Sequence, residues 1–154
     1  ENIGNGLLAT GPHRWFDWFA EPHQARQERE ARVAEILEFT RLTDLRDALA
    51  RDLSHGQQRV LGIAIALAAR PRVLLLDEPF TGVTAYEKDR LVQMLGRVRE
   101  QGTTIVLVEH DMRSVMRLCD RITVLNFGRV LTEGTPEEVR RHPEVMAAYL
   151  GTAA

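Results

Sequence analysis

The 154-residue chain predicts an α/β fold: a parallel sheet core, a helical subdomain before it, and a C-terminal β-hairpin plus helices after it. Three observations carry this. Val73-Leu74-Leu75-Leu76 is an unbroken apolar run between Pro71 and Pro79, the pattern of a buried parallel strand. Thr104-Ile105-Val106-Leu107-Val108 is a second, β-branched strand, and Leu91, Met94, Leu95 and Val98 mark one apolar helix face between the two. Residues 121–125 and 129–132 flank Asn126-Phe127-Gly128 as a hairpin, and Thr135-Pro136-Glu137-Glu138 is a capping box that opens a helix.

In chain order, residues 1–25 are punctuated by Gly4, Gly6, Gly11, Pro12 and Pro22, a pattern of irregular backbone. Within them Trp15, Phe16, Trp18 and Phe19 form a dense aromatic patch, expected to pack on the helix that follows. Residues 24–41 read as a charged amphipathic helix with Val33, Ile36, Leu37 and Thr40 or Arg41 on one face and i,i+4 ion pairs on the other. A short helix over residues 42–50 is expected next. Ser54 suits a helix N-cap, and Gln57 and Gln58 suit helix-start positions. The helix over residues 57–69 is apolar nearly all round, so burial is expected until Arg70-Pro71 stops it. Gln101-Gly102 closes the helix before the second strand. Residues 112–118 read as a helix with Val115 and Met116 inward. His142-Pro143 breaks the last helix, with His142 expected at the surface.

Composition sets limits. Apolar residues at 44% and charged residues at 27% are ordinary for a globular domain. A net charge of −2 gives no electrostatic case for nucleic-acid binding. The single Cys119 excludes an internal disulfide, and it reads as a small apolar helix residue. No apolar run has the length of a membrane span, so contact with a membrane is expected through a partner.

Chemistry concentrates at element ends. The first strand runs into Asp77-Glu78, and ligands in open α/β sheets bind outside the carboxyl ends of strands. An Asp there can hold Mg²⁺ through one carboxylate, and a neighbouring Glu can orient or deprotonate water. Leu53-Ser54-His55-Gly56-Gln57-Gln58 places a capping serine and a glycine at a helix N-terminus, where free N–H groups favour a phosphate. The second strand ends in Glu109-His110-Asp111. Each feature has an ordinary alternative: an acidic strand end, a capped buried helix, a structural histidine. Their combination in one short chain favours a site.

Together these segments resemble the C-terminal part of the nucleotide-binding subunit of an ABC transporter. Leu53-Ser54-His55-Gly56-Gln57 resembles the family signature, with His55 in place of its usual first glycine. Residues 73–78 resemble the Walker B segment, and His110 falls at the switch histidine. From about residue 26 to residue 151 the chain is most similar to the ATPases of branched-chain amino-acid importers. Asn126-Phe127-Gly128-Arg129-Val130, the stretch from Glu133 to Val139, and Ala148-Tyr149-Leu150-Gly151 carry that narrower likeness.

The resemblance implies a P-loop NTPase-like core, with residues 1–70 as the helical signature subdomain and residues 71–154 as the C-terminal half of the ATPase core. It implies ATP and Mg²⁺ as cofactors, with Asp77 on Mg²⁺, Glu78 as base or water-orienting group, and His110 on the γ-phosphate. Ser54, His55, Gly56 and Gln57 would face the ATP of an opposing subunit, with the His55 ring either on phosphate or turned to solvent. Expected partners are a second ATPase subunit, transmembrane permease subunits (for which the aromatic patch is an alternative docking surface) and, indirectly, a binding protein; nucleic acid is not expected. The expected location is the cytoplasmic face of the inner membrane, as a peripheral subunit. Thr84-Ala85 departs from the Asp or Asn-Pro that relatives carry in the loop crossing the dimer interface.

No G-x-x-x-x-G-K-[ST] phosphate loop occurs in the sequence, and Glu1-Asn2-Ile3 resembles the segment after the family's glutamine loop. The upstream half is therefore expected to be missing and the chain alone inactive, with unpaired strand edges that favour dimerisation. Two alternatives stand beside the importer ATPase. One is the C-terminal lobe of a chromosome-maintenance or DNA-repair ATPase, disfavoured by the lack of sustained heptads. The other is a non-catalytic fragment acting only as an interaction module.

Overall fold

The computed structural model describes Ile3 and residues 23–150. The aromatic patch of Trp15, Phe16, Trp18 and Phe19 lies outside the described residues, as do Glu1, Asn2 and Gly151.

The first helix, α1 (His23–Thr40), buries Ile36, Leu37 and Thr40 and leaves its charged residues in water, where Arg26–Glu30 and Arg32–Glu35 pair along the helix. Arg41 ends it in the left-handed region (φ 58°), and the Leu42 N–H reaches back to the Leu37 carbonyl at 2.8 Å to satisfy the last turn. The helix expected over residues 42–50 is absent. Two 3₁₀ turns, Thr43–Leu45 and Ala50–Asp52, stand there instead. Leu42 is buried and Leu45 half-buried, too little packing to offset the cost of nucleating an α-helix.

Helix α2 (His55–Ala68) starts on a complete capping box: Ser54 Oγ accepts from the Gln57 N–H, and Gln57 Oε1 accepts from the Ser54 N–H. Its expected all-round burial is not found. Arg59 and Gly62 are exposed, and burial is confined to Ile63, Ala64 and Ala68 together with Gly56. The reason is its position between two apolar clusters. Ala64 and Ala68 pack with Ile36, Leu37 and Leu42, while Ile63 packs with Leu74, Phe80, Leu91 and Leu95; Val60 touches both groups.

Strand β1 (Val73–Asp77) pairs in parallel with β2 (Thr104–Val108), joined through α3 (Ala85–Glu100). Leu74, Leu76, Ile105 and Leu107 face α3, whose Leu91, Leu95 and Val98 are fully buried. Burying such a side chain contributes about 1.5–3 kcal/mol. The expectation of a strand buried on both faces is corrected here. Val73, Leu75, Val106 and Val108 are 52%, 73%, 47% and 60% exposed, because the described helices cover one face of this pair and leave the other open.

Helix α4 (Met112–Leu118) leads to β3 (Ile122–Asn126) and β4 (Arg129–Gly134), an antiparallel hairpin. Phe127 and Gly128 both have positive φ (47° and 75°), the geometry of a tight turn matched to strand twist. Helix α5 (Pro136–Arg141) opens on the expected capping box at Thr135. A short turn, Pro143–Val145, follows, and Val139 and Val145 close a third cluster with Val115, Ile122 and Val124. Cys119 packs at the edge of that cluster, and burial pushes its thiol pKa up. His142 is half-buried rather than at the surface; the turn into Pro143 sequesters its Nδ1, which has no hydrogen-bond partner.

Candidate functional site

Polar groups gather at the carboxyl ends of β1 and β2. The parallel register pairs Asp77 with Val108, so Glu78 and Glu109-His110 emerge side by side. Alternation along each strand fixes which way they start. Val73, Leu75 and Asp77 share the open face with Val106 and Val108, while Leu107 and then Glu109 turn toward the core.

Glu78 breaks the alternation. Its φ is +45°, a left-handed conformation that costs a non-glycine residue about 1 kcal/mol or more. Its N–H donates to the Val108 carbonyl at 2.9 Å, which holds the kink against β2. The carboxylate is thereby delivered to solvent, where Oε2 accepts from Thr81 Oγ1 at 3.2 Å and Oε1 lies 3.7 Å from His110 Nδ1. Strain at a strand end, next to an exposed acid and an imidazole, is a common mark of a working site.

Glu109 is the group that sequence reading left without a role. Its side chain is 1% exposed. Oε1 accepts from the Phe80 N–H at 2.9 Å, and Oε2 accepts from the N–H groups of His110 at 2.9 Å and Asp111 at 3.2 Å. The available signal was parity: Ile105, Leu107 and Glu109 form one inward series. Asp111 is anchored in turn by Lys88 Nζ at 2.7 Å and Ser114 Oγ at 2.8 Å. Burial alone would raise the Asp111 pKa, but these two donors and the lysine charge outweigh it, and the net direction is down.

The signature residues sit elsewhere on the surface. Ser54 and His55 are exposed at the start of α2, and Gln57 is used by the cap. Gly56 is buried for a reason within the chain: a Cβ there would lie 2.3 Å from Glu87 Oε1. Glu87 belongs to the capping box of α3, where Oε2 accepts from the Thr84 N–H and Oγ1, both at 2.8 Å. Those hydrogen bonds hold its carboxyl below the ordinary range. Thus two capped helix starts are packed against each other through one missing methyl group. The structure brings Glu78 and His110 together, with Asp77 beside Glu78 at the end of β1. Among the described residues, no hydrogen bond or ion pair joins Ser54, His55, Gly56 or Gln57 to Glu78 or His110.

Among the described residues no group of three His, Cys, Asp or Glu side chains converges on a metal position. Asp77 is exposed at the strand end and offers a single carboxylate, which fits Mg²⁺ when phosphate oxygens and water complete the shell.

Against known proteins, the family model described as ABC transporter matches residues 5–81, half of the chain. The chain belongs to the ABC transporter family. A second model, for the branched-chain amino acid ATP-binding cassette transporter, matches residues 129–154. The high-affinity branched-chain amino acid transport ATP-binding protein BraF of Pseudomonas aeruginosa is 47% identical over 105 residues, 68% of this chain and 41% of that protein. LivG of Salmonella typhimurium, of the same description, is 46% identical over the same shares. The chain thus spans about two-fifths of the length of these relatives. Among solved structures, an ATP-binding cassette of an ABC transporter in its ADP conformation superposes with a TM-score of 0.75 at 26% identity. It covers 97% of this chain and 61% of that one. The ABC fold accounts for the parallel β1–β2 pair and for the P-loop NTPase-like class expected from the sequence.

Proposed function

We propose that this chain is part of the ATP-binding and ATP-hydrolysing subunit of an ABC importer for branched-chain or related amino acids. The observation that carries the reading is the approach of Glu78 and His110, with Asp77 next in the chain, at the ends of two parallel strands in an ABC family chain. Asp77 would contribute a ligand to Mg²⁺, which when bound neutralises developing phosphate charge. Glu78, exposed and aimed by its left-handed backbone, orients or deprotonates the attacking water. His110 contacts the γ-phosphate and registers its loss, 3.7 Å from the Glu78 carboxylate.

Ser54 and Gly56 at the start of α2, with His55 and Gln57 beside them, face the nucleotide of an opposing subunit; the N-terminal N–H groups supply the anion-binding capacity. ATP between two subunits favours the closed pair, and hydrolysis releases it, which gives permease subunits their drive. A binding protein delivers the cargo, and the ATPase sits peripherally at the cytoplasmic face of the inner membrane. The identities of BraF and LivG support the amino-acid cargo.

The test is ATP turnover by the complete subunit carrying this sequence, beside its Glu78→Gln variant. Turnover in the parent, with retained ATP binding and lost turnover in the variant, is the expected result. A complete subunit that binds no ATP, or a variant that hydrolyses as fast as the parent, overturns the reading.

A further inference from the structure

Glu109 joins two loops that chemistry needs in register. Phe80 lies two residues beyond Glu78, and His110 directly follows Glu109. One buried carboxylate takes the Phe80 N–H on one oxygen and the His110 and Asp111 N–H groups on the other. The same Oε2 lies 3.7 Å from His110 Nδ1, as does Glu78 Oε1. An ionised carboxylate is costly to bury, and three N–H donors offset that cost by fixing both loops at once. An apolar side chain would fill this space, yet would leave three N–H groups without this acceptor.

We propose that Glu109 is a positioning residue of the hydrolytic site: a two-ended clamp that sets the Glu78 carboxylate against the His110 ring. This rests on the ATPase reading above, and it adds a residue that touches neither water nor phosphate. The clamp needs two acceptor oxygens. Glu109→Gln keeps the shape but turns one oxygen into an NH₂ donor, which confronts either Phe80 or the His110–Asp111 pair donor to donor. Glu109→Asp keeps both oxygens but is shorter by about 1.5 Å, so it cannot reach both loops.

The experiment compares the complete subunit as parent, Glu109→Gln, Glu109→Asp and Val139→Ala, a fully buried position outside both loops. Amide hydrogen exchange is read at Phe80, His110 and Asp111, and kcat and KM for ATP are measured. In both Glu109 variants, exchange should accelerate about ten- to a hundred-fold at one end of the clamp, the scale of a lost hydrogen bond to a charged group. We expect kcat to fall about ten-fold or more, equivalent to 1.4 kcal/mol, with KM within about two-fold. Val139→Ala should lower Tm and leave kcat in place.

The clamp is overturned if these amides are unprotected in the parent, a result that requires no variant to fold. It is equally overturned if exchange is unchanged in the variants, if kcat is unchanged despite faster exchange, or if Val139→Ala lowers kcat as much. A parent that hydrolyses no ATP removes the ATPase reading and with it the catalytic role assigned to Glu109; exchange then reports the loop contact by itself.

Discussion

Adding one methyl group at Gly56 tests how the signature loop is held. A Cβ there would meet Glu87 Oε1 at 2.3 Å and Cδ at 2.5 Å, about 1 Å short of ordinary contact. The carboxylate must withdraw, and it is the one that caps α3 through Thr84. Losing that carboxylate half of the capping box costs about 1 kcal/mol, while the Thr84 Oγ1 cap on the Glu87 N–H stays. Alanine in place of glycine in a helix offsets about 0.5–1 kcal/mol of this, so the single substitution should shift stability little. The information lies in the cycle. With Glu87→Ala already in place the clash is gone, and Gly56→Ala should then stabilise by about 0.5 kcal/mol. The coupling between the two positions should therefore be about 1 kcal/mol, or roughly 2–4 °C in Tm for a chain of this size. Urea denaturation of the parent, both single variants and the double variant measures it. A Gly56→Ala effect that is the same in both backgrounds refutes the packing argument.

Three further outcomes are expected. Leu95→Ala, at a fully buried position on α3 packed with Leu74 of β1, should destabilise by about 2–5 kcal/mol in the same denaturation assay. Phe127→Asn should stabilise by about 0.5 kcal/mol, because the ring is 99% exposed and asparagine tolerates the left-handed backbone better; thermal unfolding reads this out. Acid sensitivity follows from Asp111, Glu87 and Glu138, all held below their ordinary pKa. For a depressed carboxyl, the stabilisation is fully present above the unfolded pKa of about 4 and is lost as pH falls through the folded value. The urea midpoint should therefore decline below about pH 4, and Thr84→Ala with Thr135→Ala should make that decline shallower.

Much of this architecture was legible because periodicity and capping chemistry are local. Leu91, Met94, Leu95 and Val98 announce the buried face of α3, and Ser54 and Thr135 open their helices as side-chain chemistry requires. What escaped depends on contacts between distant residues. The apolar run at Val73–Leu76 cannot say whether both faces are covered, and Leu75 turns out open to solvent. The short helix expected over residues 42–50 is one that tertiary packing does not support. The placement of Asp77, Glu78 and His110 at strand ends was readable from the sequence. The left-handed backbone of Glu78 and the burial of Glu109 arise from the meeting of two loops, and neither loop alone records it. Gly56 was read for its approach to a ligand, and the structure adds a neighbour within the chain, Glu87.

Helix α2 is also a mechanical part. It is a rod of about 21 Å, seated in two apolar sockets, with the signature at its N-terminal tip against Glu87. A tilt of 10° about its far end would carry Ser54 about 4 Å, enough to break any contact made there. Such a tilt cannot occur in one socket alone, because Val60 is shared by both. Displacement of the tip is therefore felt at α1 on one side and at β1 on the other, and the stiffness of that linkage is set by Ile63, Ala64 and Ala68.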